Sequence, residues 1–114
     1  MFPNRIRISK GASDQLKLIK QRTGVTPNVL CRMAIMLSLK RDSVIKRSDT
    51  KLDGLEFNIS TLFGEYVPLY ECLLRQFHGA LEQKEFEVLL AAHVDDGIMV
   101  LKAARSLSDL THLR

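Results

Sequence analysis

The chain opens on a period-two pattern. Asn4-Arg5-Ile6-Arg7-Ile8-Ser9 alternates polar and apolar residues, which puts Arg5 and Arg7 on one face of a strand and Ile6 and Ile8 on the other. So short a strand needs a hydrophobic partner and hydrogen bonds for its edge, and the same strand of a second chain is the expected source of both. From Lys10 to Arg22 the spacing becomes helical, with Ser9 as the expected N-cap. Ala12, Leu16, Ile19 and Thr23 share a stripe roughly opposite Lys10, Asp14, Lys17 and Gln21. Gly24 stands where a left-handed residue usually ends a helix, Thr26 is placed to cap the next one, and Pro27 suits its first turn. In Val29 to Leu39 the stripe Leu30, Met33, Ala34 and Leu37 is widened by Ile35 and Leu39, leaving Arg32 and Ser38 as the clearly polar positions. A helix apolar nearly all round is buried on several sides, either in an oligomer interface as well as its own core or as a central helix wrapped by the C-terminal half.

Lys40 to Gly54 is polar, with Lys40-Arg41, Lys46-Arg47 and Lys51 separated by Ser and Asp, and reads as a basic loop. Alternation returns over Leu55-Glu56-Phe57-Asn58-Ile59-Ser60, predicting a second half-buried strand. Gly64-Glu65 opens a helix with Pro68 in its first turn and Tyr66, Leu69, Tyr70, Leu73, Leu74 and Phe77 as its apolar stripe, closed by Gly79. Gln83 to His93 carries Phe86, Leu89, Leu90 and His93 in phase. Asp95-Asp96-Gly97 is then expected to interrupt or re-cap before Ile98, Leu101, Lys102 and Arg105, and the tail from Leu107 to fray. The predicted fold is mostly α with short β-strands in a single domain. Residues 1–40 form a basic, ribbon-helix-helix-like strand-helix-helix unit, 41–54 a basic loop, and 55–114 a strand plus supporting helices.

Composition adds bounds. A chain of 114 residues that is 46% hydrophobic and 26% charged is an ordinary single globular domain. It has no apolar run of membrane-spanning length, and Met1-Phe2-Pro3-Asn4-Arg5 lacks the order of a signal peptide, so a cytoplasmic protein is expected. Cys31 and Cys72, both in apolar helical contexts, are expected as free thiols. The net charge of +4 conceals an asymmetry: residues 1–51 hold twelve of the seventeen Lys and Arg against three Asp, a net +9, and the remainder carries −5. Any single lysine here reads as solvating a helix face, but the collective asymmetry points to a polyanion, of which nucleic acid is the commonest.

Motifs for other chemistry are missing. The sequence holds no Walker-type phosphate loop, dinucleotide fingerprint, Cys-x-x-Cys or His-Glu-x-x-His, which argues against ATP hydrolysis, redox chemistry and a zinc site. His78, His93 and His112 with Cys72 match no common metal spacing, and no cofactor is expected. Asp95 and Asp96 would serve a nuclease only if their carboxylates converged; adjacent residues diverge, and a helix N-cap is the simpler role. Tyr66 and Tyr70 are conceivable strand-cleaving nucleophiles, yet their place on an apolar stripe argues for core packing. Binding remains. In ribbon-helix-helix proteins two first strands pair into a ribbon that enters the major groove, and Arg5 and Arg7 lie on the face that would read bases or phosphate. Thr26 and Asn28, beside the free amides of the second helix, are placed to grip a phosphate.

At Asn4-Arg5-Ile6-Arg7-Ile8-Ser9 and at Arg22-Thr23-Gly24-Val25-Thr26-Pro27-Asn28-Val29-Leu30-Cys31-Arg32 the sequence resembles the DndE family of bacterial DNA phosphorothioation systems. The likeness includes Leu55-Glu56-Phe57-Asn58 and Leu62-Phe63-Gly64-Glu65-Tyr66 and weakens after Gly79. It implies a role in replacing a non-bridging phosphate oxygen by sulfur, beside a cysteine desulfurase, an iron-sulfur sulfur-transfer enzyme and an ATPase. It also implies a homotetramer that binds duplex DNA and prefers nicked duplex, with a basic surface at Lys10, Lys17, Lys20 and Arg22 around the Gly24 turn. In such a tetramer the first strand would serve assembly. The full candidate set for DNA contact is Arg5, Arg7, Lys10, Lys17, Lys20, Arg22, Gly24, Thr26, Asn28, Lys40 and Arg41, in a protein that is not itself an enzyme. The alternatives are a ribbon-helix-helix transcriptional repressor, a strand-nicking nuclease, and a scaffold whose basic half docks an acidic protein.

Overall fold

A computed structural model describes residues 2–41 and 50–111. Strand β1 (Arg5–Arg7) leads into helix α1 (Lys10–Thr23) and helix α2 (Pro27–Arg41). Strand β2 (Glu56–Asn58), a short helix α3 (Ile59–Phe63) and a 3-10 turn (Gly64–Tyr66) follow, then helices α4 (Val67–His78), α5 (Gln83–Leu101) and α6 (Leu107–Leu110). The protein is thus mostly helical with one two-stranded antiparallel sheet, within an envelope of 37 × 30 × 25 Å.

The local signals that bound α1 operate as expected. The Ser9 hydroxyl accepts the Ala12 amide at 3.0 Å, and Ala12, Leu16 and Ile19 are buried. Gly24 ends α1 in the left-handed region (φ +78°), its amide donating to the Lys20 carbonyl at 2.8 Å. Pro27 is the first residue of α2, and Thr26 before it accepts the Leu30 amide through its carbonyl at 3.0 Å.

The strand's partner differs from the expectation. β1 pairs with β2 of the same chain, Arg5 opposite Asn58, Ile6 opposite Phe57 and Arg7 opposite Glu56. The contact continues beyond the ladder, Ile59 N–H donating to Asn4 O at 2.9 Å and Ile8 N–H to Leu55 O at 3.0 Å. Ile6 and Phe57 face inward. The hydrophobic and hydrogen-bonding needs of the short strand are therefore met within one chain, and that edge is not offered to a second copy's first strand.

The centre of the core is the crossing of α2 and α5. Leu30, Cys31, Ala34 and Ile35 from α2 meet Phe86, Leu89, Leu90, Val94 and Ile98 from α5, all buried. Helix α2 is thus packed along the C-terminal half, chiefly on α5. The expected break at Asp95-Asp96-Gly97 does not occur, because α5 runs unbroken from Gln83 to Leu101. Gly97 is there for proximity: a Cβ at this position would overlap the backbone of Ala34, so the residue lets two helices touch. An aromatic cluster closes the other side, with Phe63 stacked on Tyr70 at 4.1 Å between centroids and Phe2 edge-on to Phe86 at 4.8 Å.

Two further expectations need correcting. The alternation through Ile59 ends one residue earlier, because the Asn58 side chain accepts the Ser60 amide at 2.9 Å and starts α3. The tail does not fray at Leu107: Ser106 caps α6 and Leu110 is buried. Val67–His78 forms with Pro68 in its first turn and ends at Gly79 (φ +85°) as expected, although Tyr66 and Leu69 of its stripe are about half exposed (51% and 50%).

Candidate nucleic-acid interface

Helix α1 presents its cations to solvent because its apolar stripe faces the core. Lys10, Lys17, Lys20 and Arg22 are all exposed, and none forms an ion pair with another described residue. Lys20 and Arg22 fall in the last turn of α1, with the N-terminus of α2 two residues beyond Gly24. The first turn of α2 holds no acidic side chain to offset its positive pole, and Thr26 and Gly24 are exposed with Asn28 half-buried. Seven of the candidate residues, from Lys10 to Asn28, therefore belong to helix α1, the turn that follows it and the first turn of α2.

The turn is braced from inside. Thr23 Oγ1 donates to the Ile19 carbonyl at 2.8 Å and accepts the Val25 amide at 3.2 Å. Its geometry is thus fixed by backbone and hydroxyl bonds that leave the charged side chains outside.

The remaining candidates stand differently. Arg5 and Arg7 do share the outer face of the two-stranded sheet, but Glu56 lies within 3.8 Å of both guanidinium groups, and Arg7 Nη1 also donates to the Gly54 carbonyl at 2.9 Å. Arg41 ends α2 paired with the Asp96 carboxylate at 3.6 Å and bonded to its carbonyl at 3.2 Å. Lys40 is exposed. Lys46, Arg47 and His112 lie outside the described residues.

A lysine group that the sequence reading did not assemble lies at the start of α1. Lys10, Lys51 and Lys102 line a concavity of about 530 Å³ together with Ser9, Gly11, Gln15, Asp53 and Asp95. Lys102 comes from the acidic half of the sequence, which is why counting charge by halves missed it. Asp53 accepts the Lys10 amide at 2.8 Å.

Asp95 and Asp96 diverge, as adjacent residues on a helix must. Asp95 accepts the Ser9 hydroxyl at 2.6 Å, while Asp96 accepts the Ser38 hydroxyl at 2.7 Å and pairs with Arg41. Burial raises the Asp95 carboxyl above the ordinary carboxylate value, the Ser9 bond opposes that, and Asp53 adds to it. The two carboxylates are held in separate clusters inside α5 and are not N-caps; they do not converge as a metal-dependent nuclease requires. Among the described residues no group of three or more His, Cys, Asp or Glu is arranged to hold a metal ion.

Ser38, His93 and Asp96 have the composition of a hydrolytic triad without its order. Ser38 is the middle member, fully buried, donating to Asp96 while its oxygen lies 2.8 Å from His93 Nδ1. A nucleophile needs the histidine to take its proton and a route for substrate, and neither is present in this geometry. Cys31 is buried, and burial pushes its thiol up to about 12. Cys72 is exposed, unlike its expected apolar setting. Tyr70 is core, and Tyr66 instead lines an apolar groove with Val29, Arg32, Met33, Met36 and Leu69 between α2 and α4.

The fold and its surfaces define a class: a small helical protein with a two-stranded antiparallel sheet, a buried α2–α5 axis and exposed cations along α1. Compared with known proteins, the chain matches the family described as "DNA sulphur modification protein DndE" over residues 5–109. It is 39% identical to the DndE crystal structure from Escherichia coli B7A, described as involved in DNA phosphorothioation modification, with a TM-score of 0.79 over 87% of this chain and 94% of that one. It is 36% identical to a DndE glycine-to-lysine mutant involved in DNA phosphorothioation, with a TM-score of 0.78 over 89% of this chain and 99% of that one. No curated protein matches it. The chain belongs to the DndE family of DNA sulfur modification proteins. Among the described residues no helix is long and apolar enough to cross a membrane.

Proposed function

We propose that this protein is a non-enzymatic, cytoplasmic, DNA-binding subunit of the phosphorothioation machinery that recognises the duplex backbone and prefers nicked duplex. The observation that carries the reading is the exposed surface of α1 and the Gly24 turn, where Lys10, Lys17, Lys20 and Arg22 stand exposed and make no ion pair with another described residue. Such cations gain by displacing the counterions of a polyphosphate, whereas Arg5, Arg7 and Arg41 must first leave Glu56 or Asp96. The α2 N-terminus beside Thr26 and Asn28 adds first-turn backbone amides with no acidic side chain in that turn.

A backbone reader suits a system whose chemistry is at phosphate. Base readout through a two-chain ribbon, which the repressor alternative requires, loses support because β1 is already paired with β2. The protein acts as a homotetramer in this reading, using the apolar groove between α2 and α4, where Met36, Tyr66 and Leu69 are exposed, as one subunit contact. Its partners are the cysteine desulfurase, the sulfur-transfer enzyme and the ATPase of the same system.

The test is anisotropy titration of the pure protein against matched intact, nicked and single-stranded oligonucleotides, with the oligomer mass measured alongside. Tightest binding to the nicked duplex by a tetramer is expected. Binding to one palindrome at least ~10³ times tighter than to random duplex contradicts it, as does conversion of supercoiled plasmid to nicked circles by the protein with Mg²⁺.

A further inference from the structure

A row of hydrogen bonds, buried at its Ser38–His93 link, joins α4, α5 and α2, and its proton positions follow from counting donors. The Ser38 hydroxyl has one proton and gives it to Asp96 Oδ2 at 2.7 Å. Its 2.8 Å contact with His93 Nδ1 must therefore use an N–H of His93. A neutral imidazole has a single N–H, so His93 Nε2 is bare, and the 2.8 Å contact between His93 Nε2 and His78 Nε2 must use the proton of His78. His78 can donate through Nε2 whether its other ring nitrogen is bare or protonated. A proton on His93 Nε2 can be accepted by a neutral His78 that carries its own proton on Nδ1, so N–H is set against N–H only when both rings are protonated.

We propose that His78 and His93 form a proton-sensitive latch between the end of α4 and the middle of α5, closed while at least one of the two rings is neutral and opened when both are protonated. The groups facing His93 from each neighbouring element are Ser38 of α2, His78 of α4 and Asp96 of its own helix, while Arg41 reaches Asp96 and not the ring. Burial first, then the nearby His78, holds His93 down to about 4, with Asp96 opposing.

The latch acts on a movable end. His78 is the last residue of α4, and Gly79 follows with φ +85°. The Phe77 ring rests against both imidazoles, 4.7 Å from His78 and 5.4 Å from His93 between centroids. Phe77 also lines a shallow groove with Leu39, Leu73 and Gln76, so release of His78 carries that surface with it. The α2–α5 crossing at Ala34 and Gly97 lies outside this end and stays packed when the latch opens.

The test uses the full chain labelled with ¹⁵N at histidine and, separately, uniformly. At pH 7 the ring signals should show His93 with its proton on Nδ1. On acidification, the state in which both rings are protonated should coincide with faster exchange of the Gly79 amide, bonded to Arg75 O at 2.7 Å, while the Leu30 amide at the start of α2 stays protected. In His78→Gln, which removes the neighbouring positive charge and keeps an N–H donor, His93 should titrate at higher pH than in the parent. His93 with its proton on Nε2 at pH 7, or simultaneous loss of both amides on protonation, overturns the proposal. So does an unshifted His93 midpoint in a folded His78→Gln; if that variant does not fold, the two readouts on the parent chain decide.

Discussion

The backbone of Gly97 in α5 lies against the backbone of Ala34 in α2 so closely that a single added methyl would overlap the Ala34 carbonyl. Two opposing effects meet at this position. Helix propensity favours Ala over Gly by roughly 1 kcal/mol in a helix interior, whereas overpacking against a backbone that cannot rotate away costs about 3 kcal/mol or more. The clash wins because carbonyl atoms, unlike a side-chain tip, move only with their helix.

Gly97→Ala is therefore expected to destabilise the protein by about 2 kcal/mol or more, read as a lower denaturant midpoint at unchanged slope. Gly11→Ala is the control: it also lies in a helix, nothing lies within 4 Å of its missing Cβ, and it should stabilise by about 0.5 kcal/mol. Equal effects at the two positions would remove close approach as the reason for Gly97.

Gly24 tests backbone conformation without packing. Its φ is +78° and no atom stands within 4 Å of a built Cβ, so Gly24→Ala should cost about 1 kcal/mol through strain alone, and Gly24→Asn less. Thermal melting of the two variants side by side measures the difference.

Acid should weaken the fold through His93. Its folded value is depressed from 6.5 to about 4, so the unfolded chain binds the proton more readily. Stability from this group is complete above pH 6.5, falls as the pH drops towards 4, and changes no further below that. The loss is on the order of 3 kcal/mol from a shift of that size. Urea midpoints at pH 7.5, 5.5 and 4 measure it, and in His93→Phe, where the titrating group is gone, this part of the slope should be absent.

Ser38→Ala removes the bridge between His93 Nδ1 and Asp96. It leaves a fully buried N–H without its acceptor, which costs about 2 kcal/mol. The same substitution at exposed Ser108 should be neutral within about 0.5 kcal/mol.

These positions also show what the sequence could and could not convey. Ser9, Gly24, Pro27 and Gly79 act on residues within four places of themselves, so the ends of α1, α2 and α4 were readable from local signals. Gly97 misled because its partner is more than fifty residues away: Asp95-Asp96-Gly97 resembles a breaker until Ala34 is beside it, and the polar Ser38 in an apolar helix has no evident role until His93 is beside it. The pairing of Ile6 with Phe57 is equally non-local, and a strand that needs a partner does not say which one. At the candidate interface the exposed cations of α1 followed from helical phase. Two facts did not: Glu56 shields Arg5 and Arg7, and Lys102 joins Lys10 and Lys51, because both depend on where the acidic half folds back.

The most direct measurement is the salt dependence of duplex binding by the parent chain and by the fourfold variant Lys10→Gln, Lys17→Gln, Lys20→Gln and Arg22→Gln. Each phosphate contact adds about 0.9 to the slope of log affinity against log salt. The account predicts a steep slope for the parent, flattened in the variant by roughly 2 to 4, with the melting temperature unchanged because all four side chains are exposed and without ion-pair partners among the described residues. An unchanged slope and affinity in the folded variant would contradict the assignment of DNA to the α1 face.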